Sequence, residues 1–367
     1  MKILYDYQAF SRQFYGGVSR YFVEIAKRLS NTEDTELQVF APYYLNSYLE
    51  ELEPGIVLGR QVSNVPKAVG RLLNIYNRAA IRSQVASYSP DILHETYFSK
   101  HSVALNRNQA RVVTVYDMIH ELSPQYFSAW DRTSRNKRLA VARADHVICI
   151  SENTRRDLLD IFDVPSAKVS VVHLGFDSQQ AVNTAPERLV NEPYLLYVGI
   201  RSGYKNFPRL LEAYAATKAL HQNYRLVCFG GGDFSNSEIQ QFKGLNLSSD
   251  RLCWMGGGDD VLMKLYQHAA AFVYPSLYEG FGIPPLEAMA HDCPVVCSSG
   301  SSISEVVGDA GEFFDPRDCN SIARAIETVA GSQARADELR LSGRVRIKSF
   351  TWEQCANRTH DVYSSLI

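Results

Sequence analysis

No stretch of this chain approaches the roughly 18 unbroken apolar residues that a membrane-spanning helix requires. The opening run MKILYDYQAF is too short to act as a secretory leader. The expectation is therefore a cytoplasmic protein with no integral membrane segment. Net charge is nearly absent as well: 38 Lys and Arg stand against 40 Asp and Glu, a balance of −2. Nothing in the summed electrostatics calls for a nucleic-acid partner. The dinucleotide fingerprint G-x-G-x-x-G occurs nowhere, which counts against a nicotinamide-dependent dehydrogenase. Cysteine is sparse and odd in number, at 149, 228, 253, 293, 297, 319 and 355. Cys293 and Cys297 have no second ligand pair nearby, so a zinc site is not expected, and the thiols read as free groups buried in a reducing compartment. Low-complexity segments and sequence repeats are also missing.

What is present is a soluble composition over 367 residues, 46% hydrophobic and 21% charged, long enough for two domains. Short runs rich in β-branched and aromatic residues recur: KILYDY, LQVFAP, DILHET, RVVTVYD, DHVICIS and KVSVVHLG, then YLLYVG, YRLVCFG, RLCWMG, AAFVYPS and PVVCSS. Several are continuously apolar, as in parallel strands covered on both faces. Between them lie helical periodicities. Val18, Tyr21, Phe22, Ile25, Ala26 and Leu29 mark one face. Val261, Leu262, Leu265, Tyr266 and Ala269 mark another, with Asp259 or Asp260 as the expected N-cap. A last helix is expected from a Thr351-Trp-Glu-Gln354 capping box. Residues 175–193 are polar, Pro-bounded and aperiodic, hence a linker. The pattern predicts an α/β protein of two doubly wound parallel-sheet domains with a cleft between them.

Ligands of open α/β sheets bind beyond the carboxyl ends of strands, where helix N-termini point. Four turns of that kind stand out. In FYGGVSRYF, Gly16 and Gly17 precede a helix and serve either a tight turn or a close approach to a ligand. In YVGIRSGYKNFPRLLEAY, Arg201 and Lys205 lie just before a helix starting near Phe207 or Pro208. Cations there oppose the helix dipole; a bound dianion would resolve the conflict. CFGGGDF, residues 228–234, suits a phosphate or base contact and a plain turn equally. The fourth, YPSLYEGFGIPPLEAMAHDCPVVCSS, sets Glu279 and Glu287 around a Gly-Phe-Gly. The prolines place a helix start at about Pro285, so Glu287 is expected in its first turn, where the macrodipole alone would account for it. Glu279 has no such local reason. Two carboxylates at this place can accept hydrogen bonds from vicinal hydroxyls of a sugar and of a ribose.

EGFGIPPLEAMAHDCPVV resembles the E-x7-E region of glycosyltransferase family 4, retaining nucleotide-sugar-dependent enzymes of the GT-B fold, two Rossmann-like domains facing across a cleft. GGVSRYFVEIAKRL, VVTVYDMIHELSPQYF, ISENTRRDLL, YVGIRSGYKNF and SSISEVVGDAGEFFDP carry the resemblance through most of the chain. It implies an acceptor-binding domain over 1–180, a donor-binding domain over 190–350, and a C-terminal helix in 351–367 packing back on the first. Glu279 would contact hydroxyls of the donor sugar and Glu287 the ribose. Arg201 and Lys205 would bind the diphosphate, and Gly280, Phe281 and Gly282 would lend backbone amides. Gly16 and Gly17 would lie close to the phosphates and acceptor. The implied reaction moves a hexose or deoxyhexose, from GDP-mannose or a related GDP- or UDP-sugar, to a saccharide or polyprenyl-linked saccharide of a surface polysaccharide such as O-antigen or capsule. The nucleotide sugar is a co-substrate, and no further cofactor is expected.

One departure concerns Val115-Tyr116-Asp117, where many relatives read Val-His-Asp. A phenol with a reference pKa of about 10 cannot replace an imidazole base, and Asp117 and His120 are the candidates to compensate. Asp-x-Asp is missing, which predicts metal-independent transfer. Two basic runs, 67–82 and 132–143, read as amphipathic helices, either solvated or lying on an anionic bilayer. Nearby Tyr97, Phe98, Tyr126, Phe127 and Trp130 could stack on sugar rings or fill core. The competing readings are a nucleotide-sugar epimerase or hydrolase of the same fold, and a non-catalytic nucleotide-sugar binding module.

Overall fold

The computed structural model describes residues 1–63, 65–176 and 187–367. Residues 177–186, the middle of the expected linker, lie outside them. The chain forms two compact units: Met1–Gly175 with Trp352–Ile367, and Phe176–Thr351.

The first unit is built on seven strands: β1 (Lys2–Tyr5), β2 (Glu36–Tyr44), β3 (Val57–Gln61), β4 (Ile92–Glu95), β5 (Ala110–Val115), β6 (His146–Cys149) and β7 (Val169–Val171). Their order is β3-β2-β1-β4-β5-β6-β7, with every neighbouring pair parallel. The second unit holds β8 (Tyr194–Val198), β9 (Arg225–Phe229), β10 (Leu252–Met255), β11 (Ala271–Tyr274), β12 (Val295–Ser298) and β13 (Gly311–Phe314). These are again parallel, ordered β10-β9-β8-β11-β12-β13. The apolar runs explain the sheet interiors: every residue of β4, β5, β6, β11 and β12 is buried. Two strands escape the sequence reading, β3 and β13, and both are sheet edges. Each contains a glycine beside a charged residue and is only partly buried, so neither forms an apolar run.

In each sheet the order runs outward from the first strand, then resumes on its other side. The reversal falls between β1 and β4 in the first unit and between β8 and β11 in the second. A crevice opens at such a switch point because the flanking connections leave toward opposite faces.

Local details differ from expectation at two helix starts. The helix Asp259–His268 is capped by Gly258, so Asp259 and Asp260 act from within its first turn. The helix expected at about Pro285 runs Ile283–Ala290 with Gly282 as N-cap. Glu287 therefore lies beyond the first turn, and the macrodipole no longer accounts for it.

The helix Trp352–Ser364 belongs to the first unit, where it packs along the helix Gly17–Leu29. Trp352, Cys355, Ala356 and Tyr363 are its buried face. Beneath it lies a closed polar cluster. His94 Nδ1 meets Tyr363 Oη at 2.5 Å and His94 Nε2 meets Thr114 Oγ1 at 2.9 Å. Tyr5 Oη lies 3.2 Å from Tyr363 Oη, and Tyr21 Oη 3.3 Å from Thr114 Oγ1. Burial pushes the His94 pKa down to about 3, so the imidazole stays neutral. The unfolded ring titrates near 6.5, and the unfolded chain takes the proton first. Stability is thus complete above that value and declines as the pH falls from there toward 3, by about 2 kcal/mol at pH 5. Urea unfolding at pH 7 and pH 5 should show wild type losing about 2 kcal/mol more than His94→Gln; equal losses would contradict this.

Candidate functional site

The second unit's switch point is made by two loops. The first leaves β8 through Gly199, whose φ of 131° suits glycine, and ends in the helical turn Gly203–Lys205. Asn206 follows with φ 57°, tolerable for asparagine. Its Nδ2 donates to the carbonyls of Pro275 and Pro316 at 3.0 and 2.8 Å. The second loop leaves β11 after Tyr274. Leu277 N donates to Tyr204 O at 2.8 Å, stitching loop to loop. Ser301 Oγ accepts from Glu279 N at 3.0 Å, and Ser302 Oγ donates to Glu279 O and Phe281 O at 2.8 and 2.7 Å. Phe281 is buried edge-on against Phe350, ring centroids 5.6 Å apart. Gly280 stands between these anchored residues, and Gly282, φ 126°, turns the chain into the helix.

So fixed, the loops bring Lys205 Nζ to 2.7 Å from Glu279 Oε1, the side chains 17% and 13% exposed. Lys205 also approaches Tyr274 Oη at 3.5 Å. Burial and the Glu279 carboxylate hold the Tyr274 phenol far above its ordinary range, so it remains neutral. The half-buried Glu287 is on the adjoining helix, where Tyr266 Oη donates to its Oε2 at 3.4 Å. Cation, carboxylate and phenol at a strand's carboxyl end can exchange partners with a ligand offering phosphate oxygens and hydroxyls.

Arg201 does not join Lys205 as a second cation aimed at one anion. Its side chain is 3% exposed, with Nε 2.5 Å from Glu238 Oε1. Its remaining nitrogens donate to the carbonyls of Gly230, Gly232 and Asp233 at 2.9, 2.8 and 3.0 Å. The guanidinium also covers the Phe234 ring at 4.8 Å. The fork geometry of arginine matches this set of carbonyls and one carboxylate. Gly230, Gly231 and Gly232 all have positive φ, 84°, 70° and 76°. A Cβ on Gly231 would stand 3.0 Å from the Gly199 carbonyl oxygen. The triple glycine is thus a turn held by Arg201 against the first loop. Glu238, a partner that the sequence reading missed, had a signal: Ser235-x-x-Glu238 is a capping box, and the box forms.

The other candidates lie in the first unit. Gly16 is the N-cap of the helix Gly17–Leu29, with φ −175°, and Gly17 has open space where a Cβ would go. Neither requires a left-handed backbone. After β5, Asp117 Oδ1 accepts from Ile119 N at 3.1 Å. His120 stacks on Phe127 at 3.8 Å, with Asp117 Oδ1 and Asp131 Oδ2 4.0 and 3.7 Å from its two nitrogens. The Tyr116 hydroxyl is buried with no hydrogen-bond partner among the described residues, and burial raises its pKa well above normal, further from any use as a base. Lys137 anchors this loop. Its side chain is 1% exposed, and Nζ donates to Asp117 O and Glu121 Oε2, each at 2.7 Å.

Lys137 also bears on 132–143, expected as an amphipathic helix either solvated or lying on a bilayer. Arg143 pairs with Glu95, and Arg138 covers the Phe162 ring at 4.3 Å. Three of the five cations of this run are engaged within the unit. The run 67–82, by contrast, leaves Val69, Leu72, Ile75 and Tyr76 exposed on the helix Lys67–Tyr88. No helix among the described residues is long and apolar enough to cross a membrane. Of the nearby aromatics, Phe98 is core, Tyr97 lies under the Arg12 guanidinium, and Trp130 is 86% exposed.

Comparison with known proteins covers both units. The family described as Glycosyltransferase Family 4 matches residues 15–180, and that described as Glycosyl transferases group 1 matches residues 180–346. "O-antigen chain mannosyltransferase B" of Escherichia coli is 26% identical over 376 residues, 95% of this chain and 96% of that protein. Sucrose-phosphate synthase (tll1590) from Thermosynechococcus elongatus superposes with a TM-score of 0.75 at 21% identity, covering 100% of this chain and 98% of its own. Anabaena Alr3699/HepE, solved in complex with UDP and glucose, gives 0.74 at 20% identity with both chains covered completely.

Removing Arg201 would strand Glu238 and three loop carbonyls. Arg201→Ala should therefore cost the second unit about 3 kcal/mol, and Arg201→Lys should restore little, since an ammonium lacks the fork. Urea unfolding checks both; a loss below about 0.5 kcal/mol, typical of a surface ion pair, would show that the contacts carry no stability.

Proposed function

The chain belongs to glycosyltransferase family 4, and on that premise we propose that it moves a hexose or deoxyhexose from a nucleoside diphosphate sugar, GDP-mannose in type, to a saccharide or polyprenyl-linked saccharide. The product is a cell-surface polysaccharide such as O-antigen or capsule, and the anomeric configuration is retained. The observation that carries the proposal is the Lys205–Glu279 contact at the carboxyl ends of β8 and β11. The Escherichia coli relative named as an O-antigen chain mannosyltransferase supports the sugar and the polymer. The neighbour solved with UDP and glucose supports a nucleotide-sugar donor.

In this proposal the second unit binds the donor and the first the acceptor. The bond from the anomeric carbon to the diphosphate oxygen breaks, and its electron pair stays on the phosphate. Lys205 turns from Glu279 to the diphosphate and offsets that growing charge, usually the largest catalytic contribution. Glu279, released, accepts hydrogen bonds from the sugar and favours its developing positive charge. Glu287 takes the ribose, and the amides around Gly280, Phe281 and Gly282 line the donor. Arg201 contributes by holding the triple-glycine loop. The acceptor oxygen attacks on the face the phosphate leaves, and its proton passes to that phosphate. Asp117 and His120, steadied by Lys137, serve the acceptor side with the backbone of Gly16 and Gly17. The exposed apolar stripe of the helix Lys67–Tyr88 suits the polyprenyl part of an acceptor and peripheral attachment to a bilayer.

Assays with radiolabelled GDP-mannose and a lipid-linked saccharide should show transfer. Glu279→Ala and Lys205→Ala should each lower turnover at least about a hundredfold; near-normal rates would remove both from the site. Excess EDTA should leave transfer unchanged, whereas loss restored by Mg2+ or Mn2+ would overturn metal independence.

A further inference from the structure

Each of the two donor-side carboxylates has a buried tyrosine behind it, and neither tyrosine has a part in the steps above. Phe272 and Tyr274 fall on one face of β11, and Tyr266 meets Phe272 from the helix Asp259–His268. The Phe272 ring centroid lies 5.4 Å from that of Tyr266 and 5.6 Å from that of Tyr274. The His291 ring stacks on Tyr266 at 5.9 Å, and its Nδ1 stands 2.8 Å from Glu287 O. Both tyrosines are 1% exposed. Packing of this kind asks only for phenylalanine.

The hydroxyls go to the carboxylates. Tyr266 Oη donates to Glu287 Oε2 at 3.4 Å. Tyr274 Oη accepts from Lys205 Nζ at 3.5 Å and directs its own hydrogen to Glu279. Burial and the neighbouring carboxylates hold both phenols far above their ordinary range, so each stays a donor at any working pH. A carboxylate offers about four acceptor positions. A phenol that takes one of them fixes the side chain and leaves others for a ligand's hydroxyls. Without that partner the glutamate would have to be ordered at the moment of binding, which weakens binding. For Glu279 the phenol has a second use: once Lys205 leaves for a diphosphate, Tyr274 is the donor that stays.

We propose that Tyr266 and Tyr274 are positioning residues, Tyr266 holding Glu287 for the ribose and Tyr274 holding Glu279 for the transferred sugar after Lys205 has turned to the diphosphate. The proposal rests on the transferase reading and deepens it by giving the two hydroxyls separate consequences. Loss of the Tyr266 hydroxyl falls on nucleotide affinity. Loss of the Tyr274 hydroxyl falls on turnover, because the sugar is engaged most strongly as its positive charge develops.

Tyr266→Phe and Tyr274→Phe keep the rings and remove one oxygen each. Calorimetry on the full chain compares GDP with 2′,3′-dideoxy-GDP, or the uridine pair where UDP binds more tightly. Tyr266→Phe should weaken GDP about tenfold and leave the dideoxy nucleotide, which has no hydroxyls for Glu287, within about twofold. In transfer from GDP-mannose the same variant should raise the donor KM about tenfold with kcat nearly unchanged. Tyr274→Phe should do the reverse, lowering kcat about tenfold with the Kd for GDP within about twofold. In a Glu279→Ala background it should lower kcat no further. A packing defect would move GDP and its dideoxy form together, and would lower kcat again in the Glu279→Ala background; either result overturns the proposal. So does a Tyr→Phe chain too unstable to assay, since the hydroxyls would then serve the fold. Glu287→Gln separates the layers. If it weakens both nucleotides alike, the ribose assignment itself fails. If it discriminates between them and Tyr266→Phe does not, this inference fails alone. The expected binding pattern without transfer to any saccharide sinks the transferase reading and leaves the Tyr266 assignment standing.

Discussion

An ion pair between residues 74 positions apart is what the second unit's site depends on. Lys205 and Glu279 are each largely removed from water, and either one alone would carry a desolvation cost of several kcal/mol. Together, 2.7 Å apart and at an effective dielectric of about 20, they attract by about 6 kcal/mol and leave a neutral, pre-shaped contact. The backbone stitch from Leu277 to Tyr204 and the asparagine bridge from Asn206 hold the loops so that the pair needs no rearrangement to form. In the proposed reaction, a diphosphate that draws the ammonium away would free a carboxylate beside the sugar at the same moment. On that proposal one contact would link phosphate recognition to hydroxyl recognition.

The same topological logic appears in both units with different chemistry. Between β8 and β11 one cation and one carboxylate are joined directly. Between β1 and β4 the carboxylates of Asp6 and Glu95 lie deep, already bonded to Thr96, Gln8 and two arginines. Parallel order fixes where the crevices open, and the residues immediately after the strands decide what each can hold.

Much of this was legible in the chain itself. Runs rich in β-branched and aromatic residues marked eleven of the strands, and several of them were continuously apolar because a strand covered on both faces has no polar side to show. The edge strands β3 and β13 did not share that constraint and left no such trace. Glu279 stood out because a carboxylate in a glycine-rich loop had no local use. The Glu238 partner of Arg201 was not legible because it sits 37 residues on, across a loop whose direction no local pattern reveals. Lys137 looked like one more member of a solvated charge run. Only the tertiary position of Glu121, 16 residues earlier, shows that its ammonium is interior. Glu287 gained weight when the helix proved to begin at Ile283, two residues before the expected start.

The return of the helix Trp352–Ser364 to the first unit has a consequence for synthesis. The second unit is, in effect, an insertion within the first. On the ribosome the opening 175 residues emerge first yet lack the helix that closes over His94 and Tyr5, whereas residues 176–351 contain everything their own sheet requires. The first unit is therefore completed only after the second has been made, and until the helix Trp352–Ser364 leaves the exit tunnel its aromatic core has an open side for a chaperone to cover.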